Sequence, residues 1–410
     1  MRVALVEMRP VRSTPAHGTD LLAELVCSNS LKSVETTNAH GLLKAELRLL
    51  GSLLLDVAEE ARVPGGQALA VDRAVFARVA TGRITGHAGI RVVREEATDL
   101  PSPGVVATGP LTSDRLSAAI QARLGAASLA FHDAIAPIVV GESLDLERLF
   151  PASRYGKGEG DDYLNAPFTA AEYESFVNGL LEADRHPGHG FDVPYFEGCL
   201  PIEEMARRGR DTLRFGPLKP VGLRDPRSGR EAHAVLQLRR EDRAGQMWSL
   251  VGCQTRLRIS EQQRLLRTVP GLERAEFHRY GSVHRNTYLN TPAALTEHLS
   301  LKDDEQVVFA GQLIGVEGYV ESLGSGLVAG VNLARLLRGK QPLMPPPVTM
   351  LGALLRYVAH AEPARFQPMN ANLGLLPPLE RPPRDRALKK GALAERALAA
   401  VRYFARETAA

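Results

Sequence analysis

Short apolar runs rich in β-branched residues recur along this chain between longer stretches whose apolar positions return every three or four residues. Runs of the first kind are RVALVE at 2–7, residues 88–94, GVVA at 104–107 and VVFA at 307–310. Each has the length and composition of a buried strand. Helical spacing dominates 39–60 (with a break at Gly51), 70–81, 113–124, 169–183, 260–268, 349–360 and 381–410. Thr169, followed three residues later by Glu172, has the form of a capping box. Alternation at 231–237 and 246–255 predicts antiparallel strands, whereas the Gly-, Asp- and Tyr-rich stretch 154–168 reads as an exposed loop. Strands and helices arranged in this way predict an α/β fold.

The most informative pattern is VVFAGQLIGVEGYVESLGSGLVAGVNLARLLRG at 307–339. It reads as strand, glycine-rich loop and closely packed helix, with Gly339 closing the helix. The unpaired amides at the helix start suit an anion, and a dinucleotide or flavin pyrophosphate is one such anion. A tight crossover with no ligand fits the same spacing. RVALVE ends in Glu7, as a second Rossmann strand ends in an acid that accepts hydrogen bonds from a ribose. The first strand and GxGxxG turn that precede such a strand do not stand before it. At the end of GVVATGPL, Thr108 and Gly109 are small enough for a cofactor to approach the backbone.

Composition narrows the reading. A chain of 410 residues with 44% hydrophobic and 24% charged residues is expected to form two domains. A net charge of +3 is too weak to imply nucleic acid by itself. Three cysteines without a CxxC exclude a disulfide scaffold and suggest neither a zinc nor an iron–sulfur site; no metal is expected. No apolar run reaches membrane-spanning length, so the cytoplasm is the expected location.

Cys27 stands before Ser28, Asn29 and Ser30, any of which can cap a helix whose amides would activate the thiol; a small buried cysteine is the alternative. Cys199 stands before Pro201, which fits the first turn of a helix carrying Glu203 and Glu204 early. Cys253 falls in a predicted strand and is expected to pack. Arg207, Arg208, Arg210, Arg214, Lys219 and Arg224 form either a solvated face or a phosphate-binding one. Residues 276–290, EFHRYGSVHRNTYLN, gather Arg279, Tyr280, His284, Arg285, Asn286 and Tyr288, a density of polar and aromatic groups that points to a binding site, not specifically for RNA; a buried hydrogen-bonded loop is the alternative. His186 and His189 lack a third ligand at a convincing spacing and read as surface residues.

Several longer motifs converge on one family. ELVCSNSLKS at 24–33, EGCLP at 197–201, GRDTLRFGPLKPVGL at 209–223, RYGSVHRNTYLN at 279–290, and the stretches 7–10, 14–17, 107–111, 311–330 and 366–377 together resemble the folate- and flavin-dependent tRNA uracil-5-methyltransferases. The resemblance covers nearly the whole chain. It implies a Rossmann-like FAD-binding α/β domain interrupted by a smaller inserted α+β domain, here divided at 1–168, 169–299 and 300–410. Since the family begins with a strand and glycine-rich turn ahead of the Glu7 position, the first strand is expected to be missing from this fold.

The implied reaction is reductive methylation of the T-loop uridine of tRNA to ribothymidine. 5,10-Methylenetetrahydrofolate gives the carbon, reduced FAD the electrons, and NADPH or NADH restores the flavin. The family's functional thiols match Cys27 and Cys199; one serves as nucleophile and the other assists proton transfer. Glu7, Thr108, Gly109, Gly311, Gln312, Glu317, Gly318, Ser322 and Gly326 fall in its cofactor motifs. Arg207, Arg210, Arg279, His284 and Arg285 are candidates for tRNA or folate contact. No obligate protein partner is implied. A flavin oxidoreductase, another tRNA-modifying flavoprotein and a non-catalytic tRNA-binding or assembly protein are the alternatives.

Overall fold

The computed structural model describes residues 1–14, 16–125, 128–185 and 200–409, with the backbone alone at 128–134, 283–287 and 409. The apolar runs at the start of the chain form parallel pairs. Val3–Glu7 lies beside Ile90–Arg94, with Val3 opposite Ile90 and Glu7 opposite Arg94. Gly104–Val106 lies beside Val307–Phe309, so chain segments about two hundred residues apart join one unit. Among the described residues the two pairs are not hydrogen-bonded to each other. Ser30–Ser33, Ala68–Val71 and Arg62–Val63 form a three-stranded antiparallel sheet beside them.

Helices Ala39–Leu49, Tyr319–Leu336 and Met350–His360 close one large core over these strands. Leu42, Leu43, Leu47, Leu351, Leu354 and Leu355 are fully buried in it, each contributing about 2 kcal/mol of burial. The basic C-terminal helix Arg386–Ala409 packs Ala394 and Ala397 into the same core and lies against Ala39–Leu49. The expected break at Gly51 is real: a second helix, Leu53–Glu60, begins after it.

A second core belongs to a six-stranded antiparallel sheet. Its strands run in the order Phe277–Arg279, Ile138–Val140, Met247–Leu250, Ala234–Arg240, Tyr163–Phe168, Phe150–Pro151. Helix Ala170–Glu182 buries Tyr173, Phe176, Val177 and Leu180 against it. The capping box at Thr169 and Glu172 forms as its spacing predicts. The boundary expected at 169 falls between two strands of this one sheet, because Tyr163–Phe168 pairs residue by residue with Ala234–Arg240. Residues 163–168, expected in a loop, form a strand despite their polar look. Asn165 is buried there, and its amide donates to the Phe150 and Ala152 carbonyls at 3.1 and 2.9 Å.

Other expectations shift for local reasons. The helix expected at 70–81 is a buried strand, Ala68–Val71, followed by helix Arg73–Thr85. Asp72 divides them by accepting from the Val75 amide at 3.0 Å. No helix follows Cys27: Ser30–Ser33 is a strand, so helix amides do not account for that thiol's setting. Pro201 caps helix Ile202–Arg207 instead of sitting inside its first turn. Cys253 is buried just beyond strand Met247–Leu250, not within it.

Candidate active site

Cys27 lies on an irregular loop where the two cores meet, and polar backbone groups on both sides of it have specific partners. On one side, the Cys27 and Ser28 amides donate to the Tyr319 hydroxyl at 3.0 and 3.3 Å. On the other, Arg73 donates to the carbonyls of Leu25 and Cys27, and Arg279 donates to that of Val26 at 3.1 Å. The two residues after the thiol are tied to the inserted sheet. Arg239 reaches Asn29 Oδ1 at 2.7 Å and Ser28 Oγ at 2.9 Å, and Asn29 Nδ2 donates to the Val71 and Arg240 carbonyls. Asn29 is fully buried, so this amide is a fixed joint between the cores.

The glycine-rich loop supplies the opposite wall. Helix Tyr319–Leu336 starts at Gly318 without a side-chain cap, which leaves first-turn amides for a ligand. Gly318 has φ +118°, and a Cβ there would meet Glu321 Oε2 at 2.3 Å, so only glycine suits this helix start. The Gly311 amide donates to Ser325 Oγ and the Ser322 hydroxyl to the Gly318 carbonyl, both at 2.9 Å, folding loop onto helix. Glu321 accepts from the Ala371 amide at 3.0 Å and contacts His40 Nδ1 at 3.1 Å, with Lys32 Nζ 3.8 Å away. Burial works to raise the Glu321 carboxyl, but His40 and Lys32 hold it at about 2. Tyr319 moves the other way: burial first, then the Cys27 charge, raise its hydroxyl and keep it protonated.

Between the walls lies a cavity of about 390 Å³, lined among others by Cys27, Lys32, His40, Gln312, Gly318 and Tyr319. Its volume lies within the usual range for cofactor sites. The uncapped helix start faces it, Pro110 and Leu111 border it, and at neighbouring Gly109 (φ +69°) a Cβ would meet nothing within 4 Å. An uncapped N-terminus beside an open backbone approach fits a flavin, whose ring carbonyls and phosphates accept hydrogen bonds. Among the described residues, no three His, Cys, Asp or Glu side chains are grouped to hold a metal.

The residues expected from sequence fall into distinct places. Cys27, Gln312, Glu317 and Gly318 line the cavity. Gly311 adjoins it, while Ser322 and Gly326 lie one and two turns along the helix. Thr108 bonds Thr112 at 2.7 Å near the cavity rim. Glu7 is engaged by Arg9 through its amide and guanidinium at 2.9–3.2 Å. Burial opposes ionisation of Glu7, but Arg9 prevails and lowers its pKa.

Arg207 and Arg210 are exposed on the inserted domain. Arg207 donates to the Leu181 carbonyl and Arg210 pairs with Glu174 at 2.8 Å, beside a shallow groove with Phe215 exposed at its edge. Arg279 turns inward to Val26. Cys199, His186 and His189 lie outside the described residues, as do the side chains of His284 and Arg285. The sequence reading missed Tyr319, Arg73, Arg239, His40 and Glu321. Of these, Tyr319 carried a local signal: it directly follows the glycine that opens the helix.

A family profile described as Glucose inhibited division protein A matches residues 1–341. The methylenetetrahydrofolate–tRNA-(uracil-5-)-methyltransferase TrmFO of Geobacter sulfurreducens is 56% identical over 407 residues, covering 98% of this chain and 93% of its own. An enzyme of the same name from Thermus thermophilus is 56% identical over 381 residues, 92% of this chain and 85% of its own. In fold, the chain is similar to Aquifex aeolicus GidA in its form I crystal, with TM-score 0.70 and 15% identity over 99% of this chain and 71% of that one.

Proposed function

Because the chain belongs to the Glucose inhibited division protein A family, and within it to the methylenetetrahydrofolate–tRNA-(uracil-5-)-methyltransferases, we propose that it methylates C5 of the T-loop uridine in tRNA. Methylenetetrahydrofolate supplies the carbon, and NADPH or NADH supplies the electrons through FAD. The observation that carries this reading is the placement of Cys27 in the same cavity as the uncapped start of helix Tyr319–Leu336: a thiol and a flavin-compatible wall share one cavity.

Uracil C5 is a poor nucleophile. Addition of a thiolate to C6 forms an S–C6 bond and moves electron density to C5, which attacks the donor's methylene carbon and displaces one of its two folate nitrogens. A base then takes the C5 proton, the remaining folate nitrogen leaves the methylene carbon, and an exocyclic methylene results with sulfur still bonded to C6. When bound, reduced flavin would supply the hydride that makes this group a methyl, and the S–C6 bond then breaks as thiolate leaves. Cys27 and Cys199 divide nucleophilic addition and proton transfer between them. Gln312, Glu317 and Gly318, with Gly311, Thr108 and Gly109 adjoining, form the cradle for the cofactor. Glu7 at its strand end, and Ser322 and Gly326 along the helix, complete the cofactor-facing set. Arg207, Arg210 and Arg285 provide cations, and His284 a hydrogen-bonding ring, for tRNA phosphates or the folate tail. The base must leave its stack to reach an enclosed thiol.

Among the described residues no helix is long and apolar enough to cross a membrane, and the cytoplasm is the proposed site of the reaction. The test incubates the purified protein with tRNA lacking the modification, NADPH and isotopically labelled methylenetetrahydrofolate. Label in 5-methyluridine of the T-loop supports the proposal. NADPH consumption without labelled nucleoside points to a flavin oxidoreductase, and tRNA binding with neither points to a non-catalytic role; both overturn it.

A further inference from the structure

Three consecutive carbonyls around the thiol, those of Leu25, Val26 and Cys27, are all taken by guanidinium groups. Arg73 takes the first and third from helix Arg73–Thr85 of the large core, and Arg279 takes the second from strand Phe277–Arg279 of the inserted sheet. Glu241 follows strand Ala234–Arg240 and pairs with Arg73 Nε through one oxygen. The side chains of Arg73 and Glu241 are 17% and 5% exposed, so this pair spans the two cores largely out of water.

The cluster is not balanced. Among the described residues, Glu241 Oε1 is buried with no hydrogen-bond partner, and so are Nε and Nη2 of Arg279. Among the described residues, Glu241 pairs with Arg73, which leaves Arg279 as a buried guanidinium without a carboxylate of its own. Burial, then the charge of Arg73, lowers the Arg279 pKa, as expected for a cation lacking its own anion. For Arg73, burial acts in the same sense, but Glu241 outweighs it and raises the pKa. The Cys27 sulfur interacts electrostatically with both arginines. An unbalanced buried guanidinium costs stability unless an anion forms beside it, and the thiol is the ionisable group on the loop that both arginines hold.

We infer that Arg73 and Arg279 are positioning residues for Cys27: both fix its loop by the carbonyls, and Arg279 carries the surplus positive charge that favours negative charge on the sulfur. This rests on the proposed function only in taking Cys27 as the reacting thiol. It gives Arg279 a different task from contact with tRNA or folate, and assigns one to Arg73 and Glu241.

The test measures iodoacetamide alkylation of Cys27 in the purified full chain at pH 7.5, followed by mass spectrometry of the Cys27 peptide. No tRNA, folate or turnover is needed, so its outcome is independent of whether the methylation assay succeeds. Arg279→Met is expected to slow alkylation about five- to ten-fold, and Arg279→Lys, which keeps the charge, to stay within about two-fold of wild type. Glu241→Gln removes the cluster's negative charge and is expected to speed alkylation about two- to five-fold. Opposite signs for Arg279→Met and Glu241→Gln support the inference, since loss of packing alone moves both variants the same way. Equal rates in Arg279→Met and Arg279→Lys, or a Glu241→Gln rate at or below wild type, overturn it. If Arg279→Met fails to fold by circular dichroism, the Lys and Gln variants still decide.

Discussion

Cys27 and Cys253 are both free thiols, and they occupy opposite kinds of place. Cys253 is 1% exposed inside the inserted core, where burial, then the Glu203 charge, pushes its thiol up to about 12. Cys27 is half-buried on the wall of the cavity, on a loop held by Arg73, Arg279, Arg239 and Tyr319. Burial among apolar groups makes one thiol a packing atom. A seam between two cores, where charged side chains from both converge, makes the other a candidate reagent. The residue type is the same, and the surroundings decide what it can do.

The most severe way to break this comparison is substitution. Cys27→Ala is expected to lower the methylation rate by about a thousand-fold or more, as loss of a nucleophile or proton-transfer group does. Cys253→Ala is expected to leave the rate within about two-fold and to cost about 1–2 kcal/mol in stability by urea unfolding. Comparable activity losses in both would erase the distinction.

Alkylation of the native protein sharpens it. At pH 8 Cys27 is expected to react about a hundred-fold faster than Cys253, which has little thiolate so far below about 12. The two rates should converge once the protein is unfolded in guanidinium.

Tyr319→Phe gives a smaller effect. It removes the acceptor for the Cys27 and Ser28 amides, a loss of about 1–3 kcal/mol where the amides stay dry. Methylation is expected to fall roughly ten-fold, with tRNA binding measured by filter retention unchanged.

The mildest test asks whether burial dominates elsewhere as it does at Cys253. Lys44 and Glu46 on helix Ala39–Leu49 are both buried; burial lowers Lys44 to about 7 and raises Glu46 to about 7. Between about 4.5 and 7 the folded state holds a Glu46 proton that the unfolded state has lost, so stability falls as pH rises. Between about 7 and 10.5 the unfolded state holds a Lys44 proton that the folded state has lost, so stability rises with pH. The contribution of this pair is therefore least near neutrality. Lys44→Met is expected to remove the rise above pH 7, worth about 1.4 kcal/mol per pH unit by denaturant titration, without altering the fall below it.

Much of the fold was legible because its signals are local. The capping box at Thr169, the break at Gly51 and the strand–loop–helix of 307–339 each rest on residues a few positions apart. Local reading failed where a polar side chain is satisfied from a distance. Asn165 hides a strand because its amide bonds the Phe150 carbonyl 15 residues away. The region of the glycine-rich loop was visible, as was Cys27 through its motif, but the thiol's surroundings were not. Arg73 meets Glu241 across 168 residues, Arg279 meets Val26 across 253, and Tyr319 meets Cys27 across 292. Periodicity cannot report such encounters, since packing of the two cores alone brings the groups together.

The central claim is that Cys27 is a reacting thiol in folate-dependent methylation of a tRNA uracil. The most direct measurement follows label from methylenetetrahydrofolate into T-loop 5-methyluridine, comparing wild type with a folded Cys27→Ala variant that retains tRNA binding. The account predicts labelled nucleoside from wild type and none above background from Cys27→Ala. Label at the wild-type rate from Cys27→Ala would contradict it.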